Sequence, residues 1–266
     1  LQADTYLLSK SMSLEEIFTI INTNDFEYVV KETFTVPEGL TIPEAAKKIA
    51  SQLDVTESDL LKLWSDKTYL KELINKYSWM SDVILSSDVL YPLEGYLYPD
   101  TYILTGEISA ENITKVMLNQ MDKILTARKE KIDKSGFTVH QLLTLASVVQ
   151  GESGAFTDMP TIAGVFINRI KVPMRLQSDI TVLYGIQKKH VDVTYSEMYK
   201  DTPYNTYTRD GLPVAPVCLM SSYAIDGVLD YESHDYYYFF ACEDGKVLYA
   251  RTLAEHERNA NENSWY

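Results

Sequence analysis

Between residues 140 and 152 the apolar positions repeat at helical spacing, and a carboxylate falls in register with them. At about 100° per residue, Leu145, Val148 and Val149 lie within roughly 60° of the Glu152 direction and Leu142 within roughly 80°, whereas Gln150 projects about 160° away. Thr138 and Gln141 have the spacing of a capping box and mark the helix start. The pattern therefore aims Glu152 inward. A carboxyl group among apolar neighbours tends to keep its proton, because desolvation disfavours the charged form, and a general acid working near neutral pH needs that property. A helix-end Glu bending back to solvent, or a buried Glu paired with an Arg, fits the same run.

The first fifty residues hold a weak internal repeat in which residues 5–17 align with residues 33–45, each reading strand, turn and capped helix. Ser13 with Glu16 and Thr41 with Glu44 both have capping-box spacing. Residues 56–76 read as one or two more helices that bury Leu60, Leu61, Leu63, Trp64 and Leu70. A turn-rich aromatic segment at 92–102 follows. It places a domain boundary near residue 90, with an accessory region and helical linker over 1–90 and a catalytic region over 91–266. Helical spacing returns at 110–131 and at 160–170, the latter ending in Asn168-Arg169. Residues 236–242 and 247–251 are β-rich runs around Asp244-Gly245, a strong hairpin signal because Gly tolerates positive φ. Thr252 and Glu255 open a terminal helix. The predicted fold class is α+β, a small β/α accessory subdomain followed by a mixed helical catalytic domain with a β-hairpin.

Composition narrows the chemistry. The formal net charge of -14 argues against nucleic acid and against a basic patch for anionic lipid. Twenty Tyr residues are many for 266, and aromatic faces serve sugars as well as cores. Cys218 and Cys242 have no CxxC spacing, and His140, His190, His234 and His256 lack metal-ligand spacing, so neither a metal nor another cofactor is expected. No run approaches the roughly 18 apolar residues of a membrane span.

Three further segments are rich in hydrogen-bonding groups suited to a carbohydrate: Arg175-Leu-Gln177-Ser178-Asp179, Tyr204-Asn205-Thr206-Tyr207 and Gly211-Leu-Pro213. Each alone could be a turn or a surface pair. Their order is more specific. Leu-Ala-Ser-Val-Val-Gln-Gly-Glu152, Val-Phe-Ile-Asn168-Arg169, Met-Arg175-Leu-Gln-Ser-Asp179 running on to Tyr184-Gly185, then Tyr204-Asn205-Thr206-Tyr207 and Gly211-Leu-Pro213 follow the order and approximate spacing of the YceG-like (MltG) family of endolytic murein transglycosylases. The upstream Glu94-Gly-Tyr-Leu-Tyr-Pro-Asp-Thr-Tyr102 and the late Glu255-His256 resemble further landmarks of that family. Val36-Pro-Glu-Gly-Leu-Thr41 resembles the start of its LysM-like subdomain.

The resemblance covers nearly the whole chain, and it implies cleavage of the β-1,4 bond between N-acetylmuramic acid and N-acetylglucosamine, leaving 1,6-anhydro ends. It implies Glu152 as the single acid/base and Asn168, Arg175, Gln177, Ser178, Asp179, Tyr184, Tyr204, Asn205, Thr206 and Tyr207 as substrate-binding residues. Two departures stand out: Gln150 occupies a position where many relatives carry Glu, and residues 213–220 replace a more Gly/Pro-rich stretch. The implied partners are peptidoglycan strands and the cell-wall synthesis machinery. The implied location is the outer face of the cytoplasmic membrane, through an expected single-pass helix preceding Leu1. Two other classes fit the same residues. A muramidase-type hydrolase would pair Glu152 with Asp179, and a non-catalytic peptidoglycan-binding protein would use only the aromatic and amide surface.

Overall fold

A computed structural model describes residues 4–23, 25–189 and 193–263. Helix α1 (Leu14–Thr23) begins where Ser13 Oγ accepts from Glu16 N and the Glu16 carboxylate accepts from Ser13 N. Strand β1 (Val30–Thr35) leads to α2 (Ile42–Ala50), whose start is held by the Glu44 carboxylate accepting from Thr41 N. The helical stretch at 56–76 divides into α3 (Glu57–Ser65) and α4 (Lys67–Lys76) at Asp66, whose side chain accepts from Thr68 N and Tyr69 N. An Asp in extended conformation there ends one helix and caps the next.

Strand β2 (Thr101–Thr105) pairs antiparallel with β1, setting Thr33 opposite Ile103 and Thr35 opposite Thr101. This sheet joins chain from both sides of residue 90. The 92–102 segment, expected as a separator, lies in the core: Leu93, Tyr96 and Leu97 are fully buried, and one apolar cluster runs from Phe34 through Trp64 and Leu93 to Leu145 and Ile225. Its aromatic side chains, not its turn residues, decide where it sits. The run at 110–131 breaks into α5 (Ala110–Thr126) and α6 (Lys129–Ser135), and α6 stops at Gly136, where φ is 77°.

The centre of the molecule is α7 (Val139–Glu152), with every residue from Leu142 to Val149 buried. A helix apolar on all sides must be covered on all sides. Its cover includes α8 (Met159–Lys171), α9 (Asp179–Gly185) and, after the short α10 (Tyr195–Met198), α11 (Ser222–Leu229). The predicted hairpin is β3 (Tyr238–Ala241) and β4 (Val247–Ala250), with Gly245 at φ 83° in its turn, and α12 (Leu253–Asn263) packs back on it. The fold is thus α+β, largely helical with two small antiparallel sheets among the described residues. Cys218 is buried, donating to Ser147 O at 3.3 Å, and Cys242 is half-buried; the two are not bonded.

Candidate active site

Glu152 is the last residue of α7, and the chain there passes close under α9: a Cβ built on Gly151 would lie 2.4 Å from Ile180 Cδ1. The glycine lets the helix end approach the 176–179 segment. Ser178 Oγ then donates to Glu152 Oε1 at 2.5 Å. The carboxyl group opens into a cavity of about 300 Å³ that is also lined by Gln177, Asp179, Tyr207, Arg169 and Tyr238.

Two loops facing each other shape one wall. Gln177 has φ 50°, a left-handed conformation that costs about 1 kcal/mol or more for a residue with a side chain. It is held by hydrogen bonds from Gln177 N to Thr206 O at 3.1 Å and from Ser178 N to Thr206 Oγ1 at 3.0 Å. Thr181 Oγ1 lies 2.8 Å from Thr206 Oγ1 and ties the start of α9 to the same point. Asn205 is fully buried: its Nδ2 donates to Met198 O and Lys200 O at 2.9 and 2.7 Å, and its Oδ1 accepts from Tyr207 N at 2.8 Å. These bonds fix the direction of Tyr207, whose hydroxyl donates to Asp179 Oδ1 at 2.6 Å. Arg175 closes the loop from outside, pairing with Asp210 at 2.9 Å and donating to Tyr207 O at 2.8 Å.

The opposite wall hangs on α8. The extended chain after α11 runs along this helix: Glu232 N donates to Pro160 O, and Asn168 Nδ2 donates to His234 O at 2.8 Å and Tyr236 O at 3.0 Å. Arg169 Nε donates to Tyr237 O at 2.6 Å, and its Nη1 crosses to Leu176 O at 2.5 Å, joining both walls. Gly164 allows the contact, since a Cβ there would lie 2.5 Å from both Glu232 O and His234 Nε2. The strand so positioned delivers Tyr238 and Phe239 to the cavity. His256 of α12 stacks on Tyr238 with centroids 5.4 Å apart, and the Arg169 guanidinium lies 5.1 Å from the Tyr238 ring centre.

Burial dominates the electrostatics. Desolvation raises the Glu152 carboxyl from its ordinary 4.5 to about 7, with the Asp179 charge pushing the same way and the Ser178 hydroxyl and Arg169 pulling it down less strongly. Near neutral pH this group therefore holds a proton that an exposed Glu would have lost. Burial, then Asp179, pushes the Tyr207 phenol up, so it remains a donor. Burial and the Arg169 charge keep His256 neutral by lowering its proton affinity.

Of the residues singled out in the sequence, Glu152, Gln177, Ser178, Asp179 and Tyr207 meet in the cavity. Asn168, Arg175, Asn205 and Thr206 do not line it, and their polar groups hold backbone in place around it. Tyr184 and Tyr204 are buried away from it: the Tyr184 hydroxyl donates to Glu94 Oε2 at 2.9 Å, and the Tyr204 hydroxyl accepts from Leu90 N at 3.1 Å. Sequence reasoning named Arg169 and His256 only within family motifs, without a place in the site, and passed over Tyr238. Arg169 carried a signal, the charge next to Asn168 at the end of a helix otherwise apolar. Among the described residues no three His, Cys, Asp or Glu side chains cluster as a metal site would require; His190 lies outside them.

The profile of the YceG-like family matches residues 1–262. A Bacillus subtilis protein named endolytic murein transglycosylase is 32% identical over 97% of this chain and 71% of its own length. A Streptococcus pneumoniae protein of the same name is 34% identical over 98% of this chain, which spans only 50% of that relative. A crystal structure of a yceG-like protein from Listeria monocytogenes superposes with a TM-score of 0.82 at 34% identity, covering 96% of this chain and 83% of the other. With the profile matched almost end to end and the fold shared, the chain belongs to the YceG-like family.

Proposed function

We propose that this protein is a lytic transglycosylase that cleaves peptidoglycan glycan strands internally, with Glu152 as its single acid and base. The observation that carries the reading is the Glu152 carboxyl itself, opening into a cavity walled by Tyr, Gln and Arg groups and held at a proton affinity near neutral pH. The names of the relatives supply the substrate class.

The chemistry needs one carboxyl group. Protonated Glu152 donates its proton to the leaving glycosidic oxygen as the bond to the muramic anomeric carbon breaks. The resulting carboxylate accepts the proton of the muramic 6-hydroxyl while that oxygen attacks the same carbon, closing the 1,6-anhydro ring and restoring the acid. The Ser178 hydroxyl holds the carboxyl orientation and steadies the transient carboxylate. Gln177 and Tyr238 present an amide and an aromatic face to the sugar. Asp179, committed to Tyr207, orients the wall and takes no proton in the cycle. On this reading residues 1–90 are the LysM-like accessory region and hold strand without chemistry. On this reading the protein acts outside the cytoplasmic membrane, beside the machinery that makes new strands.

Digestion of purified strands followed by mass spectrometry tests the proposal. Anhydro ends, lighter by one water than reducing ends, and their loss in Glu152→Gln are expected. Reducing ends would instead establish a hydrolase using Glu152 and Asp179, and strand binding without any cleavage would establish a binding protein.

A further inference from the structure

Behind the catalytic cavity, on the other side of the α7 end, lies a second hollow of about 520 Å³. It is lined by Gln150, Ser153, Phe156 and Thr157 together with Glu38, so among its lining residues one carboxylate is the only charge beside an amide, two hydroxyls and an aromatic ring. Phe156 and Tyr223 stand at its edge, 47% and 59% exposed, their rings stacked with centroids 4.6 Å apart and planes 19° from parallel. Two large rings so close to coplanar bury one face of each in the other, and much of the remaining surface stays in water, where apolar area is unfavourable.

The pair is built, not accidental. Gln150 Oε1 accepts from both Ser221 N at 2.9 Å and Ser221 Oγ at 2.8 Å, which fastens the start of α11 to the end of α7. That junction sets Tyr223 of α11 against Phe156. It also leaves the Gln150 Nε2 hydrogens for the hollow that the residue lines. The hollow and the active-site cavity share no lining residue, but they lie close along the chain: Ser153 follows Glu152 directly, and four residues from Glu152 to Phe156 reach at most about 14 Å.

We infer that this hollow and the Phe156–Tyr223 platform form a distal glycan subsite, which holds sugar rings of the same strand beyond the bond being cut. The inference rests on the strand-cleaving reading above. An enzyme that cuts within a strand must accommodate chain on both sides of Glu152, and the cavity of about 300 Å³ around the acid leaves the flanking rings to other surfaces. Hydroxyls, one amide and a single carboxylate beside an exposed aromatic face match the chemistry of an uncharged N-acetylglucosamine ring, whose C–H face stacks and whose hydroxyls bond at the rim.

The test compares long peptide-free glycan strands with tetrasaccharides too short to reach Phe156. For Phe156→Ala combined with Tyr223→Ala, KM on long strands should rise about tenfold with kcat unchanged, and kcat/KM on the tetrasaccharide should stay at the wild-type value. Phe156→Trp should restore the long-strand KM. Binding of long strands to Glu152→Gln protein should weaken by the same factor when the two aromatics are removed. Unchanged long-strand KM and binding, or an equal loss on both substrates, would overturn the subsite. Failure of the cleavage reading is separate: it would show as no product from the wild-type protein, with the aromatic-dependent binding intact.

Discussion

Replacing Glu152 by Gln makes a stability measurement report on the same physics as catalysis. In the folded protein burial lifts this carboxyl from 4.5 to about 7, so between those values the unfolded chain releases a proton that the folded chain retains. The unfolded state binds fewer protons there, and stability falls as pH rises from about 4.5 to 7. At about 1.4 kcal/mol for each tenfold change in proton affinity, the wild-type protein forfeits roughly 3 kcal/mol by pH 8 relative to pH 4. The amide introduced by Glu152→Gln carries no such cost and still offers an oxygen to the Ser178 hydroxyl. The buried Glu94, raised to about 8 by the same cause, is present in both proteins and cancels from the difference. The variant should therefore match the wild type near pH 4 and exceed it at pH 8, with a Tm gap of roughly 5 °C for a chain of this size. Thermal scans of both proteins across that range are the assay. A Tm difference that does not change with pH, or a variant less stable at pH 8, would refute the assignment of Glu152 as a desolvated acid.

Ser178→Ala removes the hydrogen bond that favours the carboxylate, so the alkaline limb of kcat/KM, expected near pH 7, should move upward, as a pH–rate profile will show. Asn205→Ala removes the side-chain partner of the part-buried Met198 and Lys200 carbonyls and of the Tyr207 amide and should cost about 1–3 kcal/mol in denaturant titration, the expectation for a structural knot and not for a sugar ligand. Gly164→Ala presses a methyl group against the Glu232 carbonyl and should cost about 1–3 kcal/mol while lowering turnover through displacement of Tyr238; unaltered stability would mean that the strand has room to move.

Features with a local period were legible in the sequence. The direction of Glu152 follows from the rotation of a helix by a fixed angle, and the caps at Thr41 and Thr138 follow from side chains reaching amides three residues away, Glu44 back to Thr41 N and Thr138 forward to Gln141 N. The polar loops were harder. Asn205, Thr206, Arg175 and Asn168 have the donors and acceptors that a sugar would need, and the same groups satisfy backbone atoms of the loops themselves, so residue type alone could not separate the roles. Tyr238 and His256 meet Glu152 only through tertiary contacts across α8 and α12, which leave no mark in nearby residues. The 92–102 segment shows the converse: its turn residues suggest a surface connection, and its aromatic content places it in the core.

The walls of the cavity also carry an order in time. Glu152 lies on an early helix of the central bundle, Tyr207 comes later, and Tyr238 and His256 come later still. A chain delivered N-terminus first thus exposes its acid well before the surfaces that desolvate it. Before those surfaces pack, the carboxyl lacks the burial that raises its proton affinity. The raised proton affinity of Glu152 is therefore a property of the assembled walls and not of α7 alone.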